Sequence, residues 1–427
     1  MYKYIDYKEK YGRIMQFGKN KTTPIHRWYP FVEGYSREFI ESIIDEQENK
    51  ELVALDPFSG SGTTALELQR LGIKCYSFEV NPFMFNLSNV KLRFPQYKSK
   101  ELLKKMEQLN CSIENINESE VNKKSEFRTL IQNDNLKKWN LDYPVYIAIE
   151  KIKIGIDKME KDMYVDLFEI ALASILLDVS NLYRNGKCLS YKKNWRENHL
   201  NEEQVISKFF YALKEIFLED IKRETFPLKI DNSKFIFEGD SREMISDKIP
   251  DTSLDIVITS PPYLNSRDYT DSYMLELKAL GYVKKLEDIK TLRKKTLRSH
   301  VQLKMGDGLE IENELLKKTM DEMTVRMEDL SQWNEEIPKM ILAYFIDIKT
   351  LLKSIFSKLK DNGRVYFNVS NSAYYNTLIN TLDITASIAE EIGFNIDEIR
   401  EARYLNPSPQ QKEKVGKLLE GVIIMTR

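Results

Sequence analysis

Residues 259–263 read Thr-Ser-Pro-Pro-Tyr and follow a short apolar run. Pro261 and Pro262 fix the local backbone and remove two N–H donors, so the carbonyl groups of the segment remain as acceptors. Ser260 adds a hydroxyl oxygen, and Tyr263 offers an aromatic face on which a nucleic-acid base could stack. The segment is therefore suited to holding a planar amine, with the Ser260 hydroxyl and the Pro261 carbonyl as acceptors. The structural alternative is a tight turn after a strand.

A glycine-rich turn lies well upstream, where residues 52–64 pass from an apolar run into a predicted helix. Gly60 and Gly62 let the backbone bend and approach a ligand without interference from a Cβ atom. The helix that follows presents free N–H groups suited to a carboxylate or a phosphate. Glu79 closes the next predicted strand, ~20 residues later, where an acid reaches ribose hydroxyls in nucleotide-binding βαβ units. The turn has neither G-x-G-x-x-G spacing nor the lysine of a P-loop.

The two segments together resemble the signature motifs of the S-adenosylmethionine-dependent DNA methyltransferases that modify exocyclic amino groups. The resemblance implies that Asp56 and the backbone of residues 58–62 hold the methionine part of the cofactor, and that Glu79 holds the ribose. Asp240 resembles the acid that accepts the adenine amino group, although a strand-end turn is its equal alternative. Helix capping is the lesser alternative for Asp56. The implied cofactor-binding residues are Asp56, Pro57, Phe58, Ser59, Gly60, Gly62, Thr63, Glu79, Asn81, Asp240 and Ser241. The implied catalytic residues are Ser260, Pro261, Pro262 and Tyr263.

Four further segments extend the resemblance. Residues 26–31, with Tyr35 and Ser36, resemble the arm that closes over the cofactor, and a hydrophobic brace is the equal alternative. The residues after Tyr263 resemble the continuation found in cytosine-N4 enzymes. Residues 363–372 resemble the strand behind the target base, and residues 406–411 resemble a terminal loop. In the continuation, the resemblance implies that the pocket is shaped by Arg267, Asp268 and Tyr269.

The chemistry expected at these residues is methyl transfer to a base amine. An exocyclic amine is a weak nucleophile, and acceptors for its hydrogen atoms stabilise the charge that develops on nitrogen during attack. The amine must also lie in line with the methyl group. A base inside a duplex cannot reach such a pocket, so base flipping is implied. This chemistry needs neither a covalent enzyme intermediate nor a metal. The cysteines and histidines, three of each, form no metal-ligand pattern.

Ser260 favours cytosine N4 as the target, because adenine-N6 enzymes more often carry Asp or Asn at that position. The motif order departs from many cytosine-N4 enzymes, in which the Ser-Pro-Pro-Tyr segment precedes the glycine-rich turn. Three interpretations stay open: a cytosine-N4 DNA methyltransferase of a restriction or defence system, an adenine-N6 enzyme on the same scaffold, and a non-catalytic nucleic-acid-binding subunit. An RNA-directed enzyme is also conceivable. The expected partners are double-stranded DNA and a cognate restriction endonuclease.

The composition fits a globular protein, with 42% hydrophobic and 30% charged residues among 427. There is no apolar stretch long enough to span a bilayer, and the N-terminus does not resemble a signal peptide, so a cytoplasmic protein without membrane contact is expected. The net charge of −2 argues against uniform electrostatic coating of nucleic acid. A local basic patch over residues 283–304 suits either phosphate contact or an ordinary solvated helix face.

Alternating strand and helix patterns predict a doubly wound, Rossmann-like α/β sheet with two largely helical insertions. The methyltransferase core is predicted over residues 1–94, 231–282 and 341–427. The insertions are predicted over residues 95–230 and 283–340. The first is the favoured target-recognition region, because basic and aromatic residues interleave at 181–187 and 191–196. Ordinary helical packing is an equal alternative there, and the second insertion is the second choice.

Overall fold

The computed structural model describes residues 2–31, 34–186, 188–197, 199–225, 229–265, 268–328, 334–407 and 411–427. The strands are β1 (Tyr4–Asp6), β2 (Val53–Asp56), β3 (Lys74–Glu79), β4 (Leu182–Asn185), β5 (Cys188–Tyr191), β6 (Ile236–Glu238), β7 (Leu254–Thr259), β8 (Leu359–Ser370), β9 (Ser372–Tyr374), β10 (Thr377–Ile379), β11 (Asn395–Leu405) and β12 (Leu418–Thr426).

The α-helices are α1 (Lys8–Tyr11), α2 (Arg37–Asp45), α3 (Thr63–Arg70), α4 (Pro82–Leu92), α5 (Ser99–Glu114), α6 (Tyr143–Asp157), α7 (Met163–Val179), α8 (Glu202–Ala212), α9 (Glu219–Arg223), α10 (Ser241–Lys248), α11 (Tyr269–Ser272), α12 (Met274–Ala279), α13 (Leu286–Lys295), α14 (Glu314–Glu328), α15 (Glu336–Lys358), α16 (Thr381–Ile392) and α17 (Lys412–Val415). A π-helical segment, Leu213–Leu218, joins α8 to α9. Short 3-10 turns occupy Phe17–Lys21, His26–Trp28, Phe94–Gln96, Glu118–Glu120 and Asn232–Lys234. Among the residues described, no helix is both long and apolar enough to cross a bilayer.

The central sheet is mixed but mainly parallel, with the strand order β1-β11-β12-β8-β7-β2-β3-β6. Only the pairings of β12, with β11 and with β8, are antiparallel in this sheet as described. From β2 the chain moves to β3 and β6 on one side and later to β7 and β8 on the other. The strand order therefore reverses between β2 and β7, and ligands of open α/β sheets bind at the carboxyl ends of the strands beside such a switch point.

Helices cover both faces of this sheet. Successive strand residues point to opposite faces, and Ala54 and Ile256 belong to one buried cluster whereas Leu55 and Val257 belong to the other. The first cluster includes residues of α2, α3, α4, α6 and α7, and the second includes residues of α10, α15 and α16. The prediction of an α/β protein built on a mainly parallel sheet is thus confirmed.

Helical periodicity over residues 165–182 predicts a helix, and α7 confirms it as far as Val179. Leu182 instead begins the antiparallel hairpin β4–β5, which turns at Gly186 with φ +61°. The run Asp361-Asn362-Gly363 predicts a turn that ends a helix before a strand begins, and this prediction was wrong. Instead β8 starts directly after α15, and its register against β7 jumps between Leu359 and Arg364. The turn-forming residues therefore make an irregularity inside the strand rather than a separate loop.

Candidate functional site

The glycine-rich turn and the Ser-Pro-Pro-Tyr segment meet at the switch point. β2 and β7 are parallel neighbours with Leu55 opposite Val257, so both segments leave the same edge of the sheet. Asp56 Oδ1 accepts a hydrogen bond from Thr259 Oγ1 at 3.1 Å and another from the Phe58 amide at 3.1 Å. The two segments that the sequence singled out therefore form one site, linked through the Asp56 carboxylate.

Glu79 organises the glycine-rich turn. Its carboxylate accepts hydrogen bonds from the amides of Gly60 at 2.7 Å and Asn81 at 2.8 Å. Gly60 and Gly62 adopt φ values of +53° and +80°, which side-chain-bearing residues rarely adopt. The Asn81 side chain caps α4 by accepting from the amides of Phe83 and Met84. Asn81 was predicted to lie near the ribose because it follows Glu79 closely in the sequence. In the structure its side chain caps α4.

Burial shifts the ionisation of the groups around the turn. Burial raises the pKa of Asp56 to about 6 and that of Glu79 to about 7. Beneath the turn, fully buried Lys91 donates to the Ser61 carbonyl at 3.1 Å, and burial lowers the pKa of its amine to about 7. The hydroxyl oxygens of Ser59 and Ser61 are buried without hydrogen-bond partners among the described residues. A bound ligand with hydroxyl and charged groups fits these carboxylates and hydroxyls.

The N-terminal arm lies against the turn. A Cβ atom added at Gly60 would come within 2.8 Å of the Phe31 ring. That ring stacks on Tyr273 with centroids 5.9 Å apart and an interplanar angle of 7°. The hydroxyls of Tyr35 and Thr64 are 2.5 Å apart. Ser36 is buried at the start of α2, but its side chain makes no capping hydrogen bond. The arm therefore packs beside the predicted cofactor site, in keeping with either covering or bracing it.

The Ser-Pro-Pro-Tyr segment is tied to two other strands. The Tyr263 hydroxyl donates to Glu420 on β12 at 2.5 Å and accepts from the Asn368 amide on β8 at 2.7 Å. Ser260 Oγ lies 3.3 Å from Asn368 Nδ2 and 3.4 Å from the Tyr263 hydroxyl. Glu420 also pairs with Arg403 on β11. Burial raises the pKa of the Tyr263 phenol well above its ordinary value, with the Glu420 carboxylate as the second cause.

Glu420 and Arg403 were not predicted as site residues, and Asn368 was only part of a strand assigned behind the base. A local signal exists for Glu420, which is 1% exposed and is the acidic residue in the otherwise largely apolar strand β12. An isolated acid in such a strand needs a partner when it is buried. The Asn368 carbonyl oxygen Oδ1 is buried without a hydrogen-bond partner among the described residues.

Asp240 combines both roles considered for it. It lines the same cleft as the glycine-rich turn. Its carboxylate also caps α10 through the Arg242 amide at 2.9 Å and forms an ion pair with the Arg242 guanidinium at 2.5 Å. Arg242 reaches onward to Asp347 at 2.5 Å. Ser241, the first residue of α10, is buried beside it. The role of Asp240 toward adenine stays a prediction.

A cleft of about 1330 Å³ joins all these groups. Ligand sites commonly measure ~300–1,000 Å³, so this cleft has room for a nucleoside cofactor beside a flipped nucleotide. Of the predicted site residues, those in its lining are Pro57, Phe58, Ser59, Gly60, Thr63, Glu79, Asn81, Asp240, Ser241, Ser260, Pro261, Pro262 and Tyr263. Asp56 and Gly62 lie behind this lining as supports.

The remaining predicted segments are divided around the cleft. Tyr269 lines it and accepts a hydrogen bond from the Tyr263 amide at 3.3 Å. Asp268 caps α11 instead and pairs with Arg293. Arg267 lies outside the described residues. In the terminal loop, Asn406, Pro407 and Gln411 line the cleft, and residues 408–410 lie outside the described part of the chain.

The hairpin β4–β5 also reaches the cleft. Arg184 lines it and is anchored by Glu276 at 2.8 Å, by the Ser272 carbonyl at 3.2 Å and by the Pro30 carbonyl at 3.3 Å. The hairpin is thereby attached to both the arm and the helices that follow Tyr263. Lys187, at its tip, lies outside the described residues. The segment 191–196 packs inward in part, and its Trp195 is 7% exposed.

The basic patch is partly neutralised by distant acids. Arg293 pairs with Asp268 and, at 2.7 Å, with Asp271, while Arg298 pairs with Asp347 at 2.7 Å. These partners are remote in sequence and were not anticipated. The lysines of the patch remain exposed: Lys284, Lys285, Lys290, Lys294, Lys295 and Lys304.

Comparisons with known proteins agree with this geometry. A family model described as DNA methylase, for N6 and N4 methyltransferases, matches residues 11–90, which contain the arm, the glycine-rich turn and Glu79. The Type II methyltransferase M.AvaI of Nostoc sp. is 29% identical over 91% of this chain and 82% of its own length. The Type II methyltransferase M.BsoBI of Geobacillus stearothermophilus is 25% identical over 95% of this chain and 86% of its own length.

The mainly parallel sheet, with the glycine-rich turn and the Ser-Pro-Pro-Tyr segment at its switch point, is consistent with the methyltransferase fold. The family model, and the relatives that match along nearly the whole chain, support the family of DNA methyltransferases that modify exocyclic amino groups. Enzymes of this family generally use S-adenosylmethionine as methyl donor.

Proposed function

We propose that this protein transfers a methyl group from S-adenosylmethionine to the exocyclic N4 of a flipped-out cytosine in double-stranded DNA. The observation that carries the proposal is the junction of β2 and β7. There Ser260 and Tyr263 share one cleft with the glycine-rich turn, and Thr259 joins the two segments through Asp56. A methyl donor on one side of this junction would face a base amine on the other.

The cofactor, when bound, supplies an electrophilic methyl group on a sulfonium centre. The turn around Gly60, with the unpartnered hydroxyls of Ser59 and Ser61, is suited to the polar methionine end. Glu79 is suited to the ribose hydroxyls, because these donors would favour its ionised form despite burial. Phe31 and Tyr35 of the arm pack beside the turn and would exclude water from the bound ligand.

The protein side of the reaction consists of acceptors and an aromatic support. Ser260 Oγ and the Pro261 carbonyl would accept hydrogen bonds from the target amine and stabilise the charge that develops during attack. The Tyr263 ring is held through its hydroxyl by Glu420 and Asn368 and would stack on the base. The unpartnered carbonyl oxygen of Asn368 favours a ligand that donates hydrogen bonds at this end of the cleft.

Cytosine is preferred over adenine because of the residue type at Ser260, as the resemblance to cytosine-N4 enzymes implies. The adenine-N6 alternative uses the same acceptors and the same stacking tyrosine. The two alternatives therefore differ in the methylated base that is formed and not in the residues of the site. A non-catalytic subunit is disfavoured, because Asp56, Glu79, Ser260 and Tyr263 are all present and assembled.

We propose further that residues 95–230 form the insertion that reads DNA, with residues 283–340 as a second insertion. The hairpin β4–β5 supports this assignment, because Arg184 fixes it at the rim of the cleft while its neighbour Tyr183 is 42% exposed. The similarity to Type II methyltransferases supports a role in a restriction-modification system with a cognate endonuclease.

The test is methylation of unmodified genomic DNA by the purified protein with S-adenosylmethionine, followed by mass spectrometry of the nucleosides. N4-methylcytosine is the expected product. N6-methyladenine would keep the site and refute the assignment of the target base. No modified base, from protein that demonstrably binds the cofactor and the DNA, would refute the catalytic proposal. The Ser260→Ala variant is the control for contaminating methyltransferases.

A further inference from the structure

A polar network of side chains adjoins Ser260 and Tyr263 in the cleft. Glu420 and Arg403 are cross-strand partners on β12 and β11, and Glu420 lies opposite Ser370 on β8. Asn368 precedes Ser370 by two residues and therefore projects from the same face of the sheet. Strand register thus brings Arg403, Glu420 and Asn368 together beside the Ser-Pro-Pro-Tyr segment, and all three line the same cleft.

The protons of this network can be assigned from its charges. The Arg403 guanidinium pairs with Glu420, so the carboxylate is ionised and can only accept hydrogen bonds. Tyr263 has one hydroxyl proton, and the acceptor at 2.5 Å is Glu420. The Tyr263 oxygen must then accept from the Asn368 atom at 2.7 Å, which fixes that atom as the amide nitrogen.

The same assignment reaches Ser260. Asn368 Nδ2 has a second hydrogen and lies 3.3 Å from Ser260 Oγ, which accepts it. The Ser260 proton points toward the Tyr263 oxygen at 3.4 Å, a long hydrogen bond. With its own proton committed inward, Ser260 retains an oxygen lone pair for a donor that enters from the cleft. A hydroxyl free to rotate would instead present its proton to the target amine in part of the population.

We propose that Glu420, together with Arg403 and Asn368, is a positioning group that sets the direction of the hydroxyl protons, so that Ser260 acts as an acceptor toward the target amine. This proposal rests on the proposed role of Ser260 in amine methylation. Glu420 lines the cleft, and its bonds to Tyr263 and Arg403 make it act through the Tyr263 hydroxyl rather than on the reacting amine. Its effect therefore falls on the rate of methyl transfer and not on cofactor affinity.

The experiment compares Glu420→Gln with the wild-type protein in single-turnover methylation at saturating DNA and cofactor. Glutamine preserves the shape, but it removes the charge and introduces an amide donor that can face the Tyr263 oxygen. We expect the methylation rate to fall about tenfold to hundredfold, less than the ~10²–10³ found when a donor in direct contact with the reacting group is lost, because Glu420 acts through Tyr263. Cofactor affinity, measured by calorimetry, should stay within about twofold.

A double-mutant cycle separates positioning from structural support. Tyr263→Phe keeps the stacking ring and removes the hydroxyl, so Glu420→Gln in that background should lower the rate by less than about twofold further. If Glu420→Gln lowers the rate by the same factor with and without the Tyr263 hydroxyl, the proposal is overturned. Such a result would mean that Glu420 supports the structure and does not act through that hydroxyl. The matched control is Glu398→Gln on β11, an acid paired with Arg400 at 2.7 Å away from the cleft lining. We expect wild-type methylation from it.

The proposed function can fail separately. A wild-type rate for Glu420→Gln, with Ser260→Ala inactive, would overturn the positioning role alone. Full activity of Ser260→Ala would overturn the assignment of the amine acceptor, and with it the basis of the network's role.

Discussion

At the residue scale, the site depends on carboxylates that are buried where water cannot solvate their charge. Asp56 is 1% exposed, and burial raises its pKa to about 6 although the Thr64, Phe58 and Thr259 donors favour the ionised form. A positively charged ligand in the adjoining cleft would favour the ionised form of Asp56 and recover part of the desolvation cost. The same burial makes the ligand-free protein sensitive to pH.

The first prediction concerns Asp56→Asn. Because the folded pKa lies above the unfolded value near 4, the wild-type protein loses stability as pH rises from about 4 through about 6, and the loss persists above that. The difference amounts to about 3 kcal/mol for a shift of about two units. The stability of the variant relative to the wild type should therefore increase by this order between pH 4 and pH 7.5. Denaturant unfolding of both ligand-free proteins measures it, and parallel pH profiles would contradict it.

A second prediction separates binding from chemistry. Asp56→Ala should weaken cofactor binding about tenfold or more, because the Phe58 amide and the Thr259 hydroxyl lose their shared acceptor. Ser260→Ala and Tyr263→Ala should bind the cofactor normally and lose methyl transfer. Calorimetry and a methylation assay on the same preparations test both halves. Unchanged affinity in Asp56→Ala would remove Asp56 from the cofactor site.

At the element scale, short connections hold the chemistry in place. The turn between β2 and α3 is shaped by Glu79, which accepts from the Gly60 amide, and by Ser88 on α4, which donates to the Gly60 carbonyl at 2.8 Å. Gly60 combines a positive φ with close approach to Phe31. A side chain at Gly60 would strain the backbone of the turn and would also displace Phe31 of the arm.

The third prediction follows from this turn. Gly60→Ala should cost about 1–2 kcal/mol of stability from its left-handed backbone and should weaken cofactor binding, because Phe31 must move. The matched control is Gly306→Ala, where an added Cβ meets nothing within 4 Å and no positive φ is required. Thermal unfolding and cofactor titration distinguish the two variants. Equal behaviour of the two would argue against a tight turn at Gly60.

At the scale of the whole molecule, a chain with a net charge of −2 must bind DNA through local surfaces. Of the exposed lysines of the basic patch, Lys295 lines the cleft. The arginines of the patch are engaged by Asp268, Asp271 and Asp347, so the lysines are the cations of this patch that remain for phosphates.

The fourth prediction is that the double variant Lys294→Ala, Lys295→Ala binds DNA more weakly at low salt. Each lost phosphate contact should reduce the slope of log affinity against log salt by about 0.9. Lys353→Ala, which removes an exposed lysine of α15 outside the cleft lining, should leave the slope unchanged. Fluorescence anisotropy with a DNA duplex at several salt concentrations provides the measurement. An unaltered slope in the double variant would assign the patch to ordinary solvation.

The local sequence determined much of this molecule. The glycine-rich turn, the Ser-Pro-Pro-Tyr segment and the strands before them were predictable, because apolar runs, glycines and prolines act on their own backbone. Glu79 ends β3, as expected for it, and β7 ends at Thr259, directly before Ser260. The hairpin β4–β5 was not predicted, because the segment 181–196 was read for its basic and aromatic residues and not as two strands.

Tertiary structure alone decided how these segments became a site. The register of β8, β12 and β11 brings Asn368, Glu420 and Arg403 together beside Tyr263. These residues are far apart in the sequence, so the sequence did not predict that they form one group. The partners of the basic patch were hidden in the same way, since Asp347 lies on α15. Local pattern reports which residues can do chemistry, because composition and backbone preference are local. Burial and pairing set their protonation and orientation, and these depend on neighbours that only the folded chain brings together.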